Sequence, residues 1–139
     1  AEHEGSITAS WCHGTPGFLS ARLILRQEGY TDDETEAAIA AAVELMKRDS
    51  IGTTLTSCHG DLGNLAILRK YADMYGDNKL YRQCTSTFAE LYNKYASKAK
   101  DSSEMTCQKY NGIMLGLSGI GYSCLRETDD SIPDHLWLT

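Results

Sequence analysis

The chain has 139 residues, of which 23% are charged, and its formal net charge at pH 7 is -6. This length suits one domain that buries roughly two thirds of the surface exposed by the unfolded chain. The acidic balance, without any cluster of lysine and arginine, argues against nucleic acid as a partner and gives no support for binding to an anionic membrane.

The first predicted element is a glycine loop that leads into a helix. Within residues 10–17, Cys12 begins the hexapeptide Cys-His-Gly-x-x-Gly, and the residues after it place Phe18, Leu19, Leu23 and Ile24 at helical spacing. A second helix is predicted from about Asp33 to Arg48. Carboxylates open this helix and basic residues close it, as the helix dipole favours.

The same hexapeptide returns at Cys58 and predicts a second loop and a third helix. The apolar face of that helix contains Leu65, Ile67, Leu68, Tyr71 and Ala72. A fourth helix is predicted from about Asn78 to Lys98, with apolar and aromatic residues on one side and charged residues on the other.

A third glycine pair, Gly116 and Gly119, has the same spacing but lacks the Cys-His pair. The first glycines of the three pairs lie 46 and then 56 residues apart (14 to 60, 60 to 116), which is the period expected for two antiparallel helices per repeat. A fifth helix should follow, with Ile120, Tyr122 and Leu125 on its apolar face. We therefore predict an all-α fold of about five helices, alternately inner and outer.

Such an array is an arc, and an arc leaves apolar surface at both ends. We expect either an upstream part of a longer protein or further copies of the chain to cover these ends. No segment has the length and apolar character of a membrane span, and no signal peptide is visible. Five cysteines without the spacing of a disulfide framework suit a reducing, cytoplasmic compartment.

The repeated Cys-His pairs predict a metal site between the first two repeats. Cysteine sulfur and histidine nitrogen are the ligands that Zn²⁺ prefers, and a glycine after each pair lets the backbone approach an ion closely. The residues alone leave two sets open. Cys12, His13, Cys58 and His59 together would form a closed structural site, whereas three of them and a water would form an open catalytic one.

Three blocks of this sequence resemble a known family. Ser10-Trp11-Cys12-His13-Gly14-Thr15-Pro16-Gly17, Ser57-Cys58-His59-Gly60-Asp61-Leu62-Gly63-Asn64-Leu65 and the run from Gly112 to Tyr122 are similar to the last signature blocks of the lanthionine synthetase C-like cyclases. The resemblance is strongest to the cyclase domain of the bifunctional class II (LanM-type) lantibiotic synthetases. It covers the chain from Ser10 to the tail.

The resemblance implies a fold, a cofactor and a reaction. The fold is an α/α toroid, of which residues 1–139 would be a C-terminal, zinc-bearing segment. The implied zinc ligands are Cys12, Cys58 and His59, with the fourth position open. The implied substrate is a dehydrated precursor peptide, whose cysteine thiol adds to dehydroalanine or dehydrobutyrine and forms a thioether ring.

The chain does not match the part of the family pattern whose residues supply the proton needed after this addition. The family's proton-transfer residues lie upstream of the first matched block, and they have no counterpart before Ser10. His13 is a candidate donor, and a hydrogen-bonding role beside the ligands is the alternative. We therefore expect the chain to be a segment of a lanthionine cyclase. A zinc-containing module that binds thiols or peptides without catalysis is the second hypothesis.

Overall fold

The structure is a computed structural model that describes residues 9–99 and 110–137. Within these ranges it contains helices and turns but no strand, which confirms the predicted all-α fold. The helices are α1 (Thr15–Gln27), α2 (Asp33–Asp49), α3 (Asp61–Tyr75), α4 (Asn78–Ala99) and α5 (Leu117–Thr128). The predicted bounds of α2 and α4 agree with these to one residue.

Aspartate residues begin the two outer helices, α2 and α4. Asp32 caps α2 by accepting hydrogen bonds from the backbone N–H and the hydroxyl of Thr35, at 2.8 and 3.0 Å, and these bonds lower the pKa of Asp32. Asp77 accepts in the same way from the N–H of Leu80 at the start of α4. Between them, Gly76 ends α3 in the left-handed conformation, with φ 69°.

The three inner helices, α1, α3 and α5, all begin at the first glycine of a glycine pair. Gly14, Gly60 and Gly116 are the N-cap residues, and none has a side chain that could satisfy the free N–H groups of the first turn. Backbone carbonyls of the preceding loop take over this role. The N–H of Asp61 donates to Thr54 at 2.7 Å, and that of Leu117 donates to Tyr110 at 3.0 Å.

The second glycine of each pair allows the helix to lie directly against the loop before it. A Cβ built on this glycine would lie only 1.9 to 2.0 Å from the carbonyl oxygen of the residue six positions earlier, a distance that real Cβ atoms essentially never show. The three contacts are Gly17 on Trp11, Gly63 on Ser57 and Gly119 on Ile113. The Gly-x-x-Gly spacing is thus a packing requirement that holds each loop against its own helix.

The first four helices form two neighbouring hairpins. Helix α1 packs against α2, α3 packs against α4, and α1 also contacts α3, so the inner helices are adjacent. One hydrophobic core joins them, and its most deeply buried side chains are Leu19, Leu23, Ile39, Val43, Met46, Leu55 and Ile67. The core fixes the loops at the starts of α1 and α3 next to each other.

Three residues of the predicted apolar faces are exposed. Phe18 is 45% exposed and lies beneath the guanidinium of Arg22, Ile24 is 36% exposed, and Leu125 of α5 is 57% exposed. The prediction of burial was wrong for these three, because helical spacing identifies an apolar face but not whether another element covers it. None of the helices in the described ranges has the length and hydropathy needed to cross a bilayer.

Candidate metal centre

A backbone ladder places the three glycine loops side by side. The N–H of Trp11 donates to the carbonyl of Cys58 at 2.9 Å, and in the next repeat the N–H of Ser57 donates to the carbonyl of Met114 at 3.1 Å. Counting back from the first glycine of each loop, Trp11 is equivalent to Ser57, and Cys58 is equivalent to Met114. Adjacent loops therefore meet in the same register.

This register brings together the three residues that the family resemblance implied as zinc ligands. The sulfur atoms of Cys12 and Cys58 and a ring nitrogen of His59 all lie within 4.8 Å of one another. The Cys12 Sγ to His59 Nε2 distance is 3.2 Å. Cys58 is 8% exposed, whereas Cys12 and His59 lie at the surface. The group is anchored in the protein on one side and open to solvent on the other.

The donor set and its dimensions fit Zn²⁺. With Zn–S near 2.3 Å and Zn–N near 2.0 Å, a tetrahedral ion separates its ligand atoms by about 3.5 to 3.8 Å. The observed group needs only small side-chain adjustments to meet these separations. Two sulfurs and one imidazole nitrogen also favour zinc over magnesium and calcium, because magnesium and calcium select oxygen ligands.

His13 lies beside this group but outside it. Its Nδ1 is 2.9 Å from Cys12 Sγ, and its ring centroid is 5.4 Å from that of His59. Only Cys12, Cys58 and His59 satisfy the mutual 4.8 Å separation among the described residues. The His13 residue is exposed.

The surroundings of Cys58 disfavour a free thiolate at this position. Burial, followed by the neighbouring Cys12 thiol, raises the pKa of the Cys58 thiol to about 11. In the chain without a cation, this sulfur therefore keeps its proton at neutral pH. A metal that binds there must displace the proton, and for this reason metal binding should weaken as the pH falls.

From the sequence, Cys84 is expected to be a buried helix residue and Cys124 a core-packing residue of an inner helix, and the structure places both accordingly. Cys84 is buried in α4, where burial raises its pKa to about 11, and Cys124 of α5 packs against the core. Neither belongs to the metal group. Cys107, interpreted from the sequence as a loop thiol, lies outside the described residues.

Asp61 and Asn64 follow the second Cys-His pair at the start of a helix, where the sequence permits either helix capping or contact with the metal ligands, and the structure shows neither. Asp61 Oδ1 accepts from the N–H groups of Gly52 and Thr53, at 3.0 and 3.1 Å, and Asn64 Nδ2 donates to the carbonyls of two further segments. Both residues organise the backbone that leads into the loops. No sequence signal identifies such a role, because the partners are main-chain groups.

A cavity of about 490 Å³ lies apart from these residues, between α3 and the C-terminal segment. Its cationic lining is largely neutralised, because Arg69 pairs with Glu127 and Arg126 pairs with Asp134. None of the metal-centre residues lines it.

The fold and this site together define a helical protein in which two cysteines and a histidine meet between repeats, and comparison with known proteins identifies the family. The model of the lanthionine synthetase C-like proteins matches residues 2–138, and the chain belongs to this family. It is 27% identical, over 140 residues, to the lacticin 481/lactococcin biosynthesis protein LcnDR2 of Lactococcus lactis subsp. lactis. The match covers 89% of this chain and 15% of that relative. No solved structure matches significantly.

Proposed function

We propose that the chain is the zinc-bearing segment of a lanthionine cyclase, which joins cysteine thiols of a dehydrated precursor peptide to dehydroalanine or dehydrobutyrine residues. The observation that carries this proposal is the convergence of Cys12, Cys58 and His59 from two loops 46 residues apart, in a chain of this family. The relative LcnDR2 is named as a lacticin 481/lactococcin biosynthesis protein, and this name supports the same class of substrate.

In this proposal, Cys12, Cys58 and His59 hold Zn²⁺, and the exposed side of the group receives the peptide. Bound zinc would favour the thiolate form of the incoming cysteine. The buried side of the group, at Cys58, has no room for a peptide, so the substrate must approach past Cys12 and His59. The two protein sulfurs also supply negative charge, which keeps an added sulfur nucleophilic.

The proposed role of His13 is to move a proton. Addition of the thiol sulfur to the β-carbon breaks the carbon–carbon π bond and leaves an enolate, which must gain a proton at its α-carbon. The proton lost by the thiol and the proton gained by the carbon balance, so the mass of the peptide does not change. The exposed imidazole of His13, beside Cys12, is the described group best placed to donate there.

We also propose that further hairpins continue the array into a closed ring. Within the described part of the chain, the loop ladder has free groups at both ends, because the carbonyl of Cys12 accepts no hydrogen bond and the N–H of Ile113 has no acceptor. Ile113, Leu115 and Leu117 are exposed beside the second of these ends. The chain spans only 15% of LcnDR2, so a longer parent protein could supply the missing hairpins. Association between copies is the competing outcome, and the oligomeric state in sedimentation separates the two.

Metal binding is the first test. The purified chain should bind one zinc ion, and its cobalt form should show the intense absorption of thiolate ligation. Cys58→Ala should abolish both signals, whereas Cys84→Ala, which removes an equally buried thiol of α4, should preserve them. A wild-type chain that binds no zinc while folded would refute the proposed function.

The second test separates catalysis from simple binding. A dehydrated precursor peptide incubated with the zinc form should lose free thiol without a change in mass if thioether rings form. If thiol is retained while the peptide alters the cobalt spectrum, the chain is a thiol-binding module. With an active chain, His13→Ala should slow thiol loss without reducing zinc content. An unchanged rate would exclude the proposed role of His13.

A further inference from the structure

Asparagine is an unusual residue type at position 64. Asn64 is the fourth residue of α3, where asparagine is a poor helix former, and it is 1% exposed. Its Oδ1 has no hydrogen-bond partner, which is a cost that an apolar side chain of similar size would avoid. The two hydrogen bonds made by its Nδ2 must therefore account for its presence.

Those two hydrogen bonds join three segments of the chain. Asn64 Nδ2 donates to the carbonyl of Ser50, which ends α2, at 2.8 Å, and to the carbonyl of Ala9, just before the first glycine loop, at 3.0 Å. Asn64 itself lies one turn after the second glycine loop. The amide thus joins the approach to Cys12 directly to the helix that follows Cys58 and His59.

Several contacts hold the approach to Cys12 against the second repeat. The Trp11 side chain packs against the core, and Cys12 Sγ lies 3.2 Å from His59 Nε2. Among the described residues, two hydrogen bonds also join the main chain of residues 9–11 to the second loop and α3. One is the bond from Asn64 to Ala9, and the other is the bond from Trp11 to Cys58. Loss of the bond from Asn64 would remove the upstream one of these two points and loosen the segment that leads to Cys12.

We propose that Asn64 is a positioning residue that sets the separation between Cys12 and the pair formed by Cys58 and His59. The inference rests on the proposed function, since the separation matters most when one ion must bind all three side chains. Zinc sites accept metal–ligand distances within about 0.2 Å of their usual values. A movement of the Cys12 segment therefore weakens zinc binding even when the fold is intact.

The main variant is Asn64→Asp, which keeps the shape of the side chain but replaces the donating amide by an oxygen that repels both carbonyls. We expect zinc affinity, measured by competition with a chromophoric chelator, to fall by about tenfold or more, as for other residues that orient metal ligands. The cobalt spectrum should change in the same variant. Asn93→Asp makes the same chemical change at an exposed site of α4 and should leave both readouts unchanged.

A second control separates positioning from stability. Val43→Ala removes buried volume from the interface between α1 and α2, so it should lower the melting temperature without altering zinc affinity. Equal losses of zinc affinity in Val43→Ala and Asn64→Asp would overturn the proposal. If Asn64→Asp does not fold, Asn64→Ser keeps one donor and should show the same changes to a smaller extent.

A readout without metal keeps this inference distinct from the proposed function. Oxidised glutathione can convert the neighbouring thiols of Cys12 and Cys58 to a disulfide, through a mixed disulfide and with release of two molecules of reduced glutathione. The rate at which the mixed disulfide resolves to the Cys12–Cys58 disulfide reports how often the two sulfurs meet. We expect this rate, followed by peptide mapping of the metal-free chain, to fall several-fold in Asn64→Asp and to stay unchanged in Asn93→Asp. A wild-type rate in Asn64→Asp would refute the positioning role, whether or not the chain binds zinc.

Discussion

Substitution of Gly63 by alanine would test how the glycine pairs hold the loops against the helices. The added Cβ would lie 1.9 Å from the carbonyl oxygen of Ser57 and 2.9 Å from its carbonyl carbon. Both atoms belong to the backbone, so no side chain can rotate away to make room. Because real contacts of this kind are not shorter than 3.0 Å, the second loop must move away from α3 by about 1 Å.

A movement of this size has two consequences. Overpacking that displaces backbone in a well-packed region costs about 1 to 3 kcal/mol of unfolding free energy. The displaced residue, Ser57, is also bonded directly to Cys58, and a 1 Å shift there exceeds the tolerance of a zinc site several-fold. We therefore expect Gly63→Ala to lose stability and to lose nearly all zinc affinity.

Gly121→Ala is the matched control. Gly121 is also in an inner helix, but a Cβ built on it meets no atom within 4 Å. Since alanine is the better helix former, this change should stabilise the chain by about 0.5 to 1 kcal/mol. Urea unfolding followed by circular dichroism at 222 nm measures both variants. The packing argument fails if Gly63→Ala unfolds within 0.5 kcal/mol of the wild type.

Three further changes probe the fold around the site. Burial lowers the pKa of His135, against an opposing effect of Asp134 and with the help of Arg126, and both ring nitrogens lack partners. The unfolded chain binds the proton more readily, so the contribution of His135 to the free energy of unfolding is complete above about pH 6.5 and is lost as the pH falls below it. His135→Phe should flatten this part of the profile of unfolding free energy against pH. An unaltered slope would contradict the assignment. Asp61→Ala leaves the N–H donors of Gly52 and Thr53 without an acceptor and should lower the free energy of unfolding by about 1 to 3 kcal/mol. Asp61→Asn keeps one acceptor oxygen and should lower it by less. Equal losses in the two variants would contradict this role of Asp61. Leu23→Ala, in the fully buried face of α1, should cost about 2 to 5 kcal/mol, and a loss below 1 kcal/mol would mean that α1 and α3 are not tightly packed.

The sequence predicted the helices well, because they depend on local patterns. Helical spacing and charged helix ends located α2 and α4 to one residue, and the glycine pairs located the starts of α1, α3 and α5. The repeat predicted that the two Cys-His pairs lie side by side, but it did not separate His13 from the other three residues. The choice of Cys12, Cys58 and His59 as metal ligands came from the family resemblance and stays a prediction, with which their proximity is compatible.

The sequence could not predict features that depend on main-chain partners or on neighbouring elements. The ladder between Trp11, Cys58 and Met114 uses backbone atoms, which every residue has, so no side-chain pattern indicates it. The exposure of Phe18 depends on which element covers α1, and helical spacing does not contain this information.

The third repeat provides an internal comparison for the proposed metal centre. Its N-cap glycine, Gly116, has φ -134° and ψ -167°, close to the -147° and -168° of Gly60, and Gly119 contacts its loop as Gly63 does. Yet the third loop carries Met114 and Leu115 where the first two loops carry Cys and His. The loop conformation and the ladder therefore form without a thiol or an imidazole. Since folding of the loop does not require the Cys-His pair, its presence in the two loops whose side chains converge supports the proposal that these loops hold an ion together.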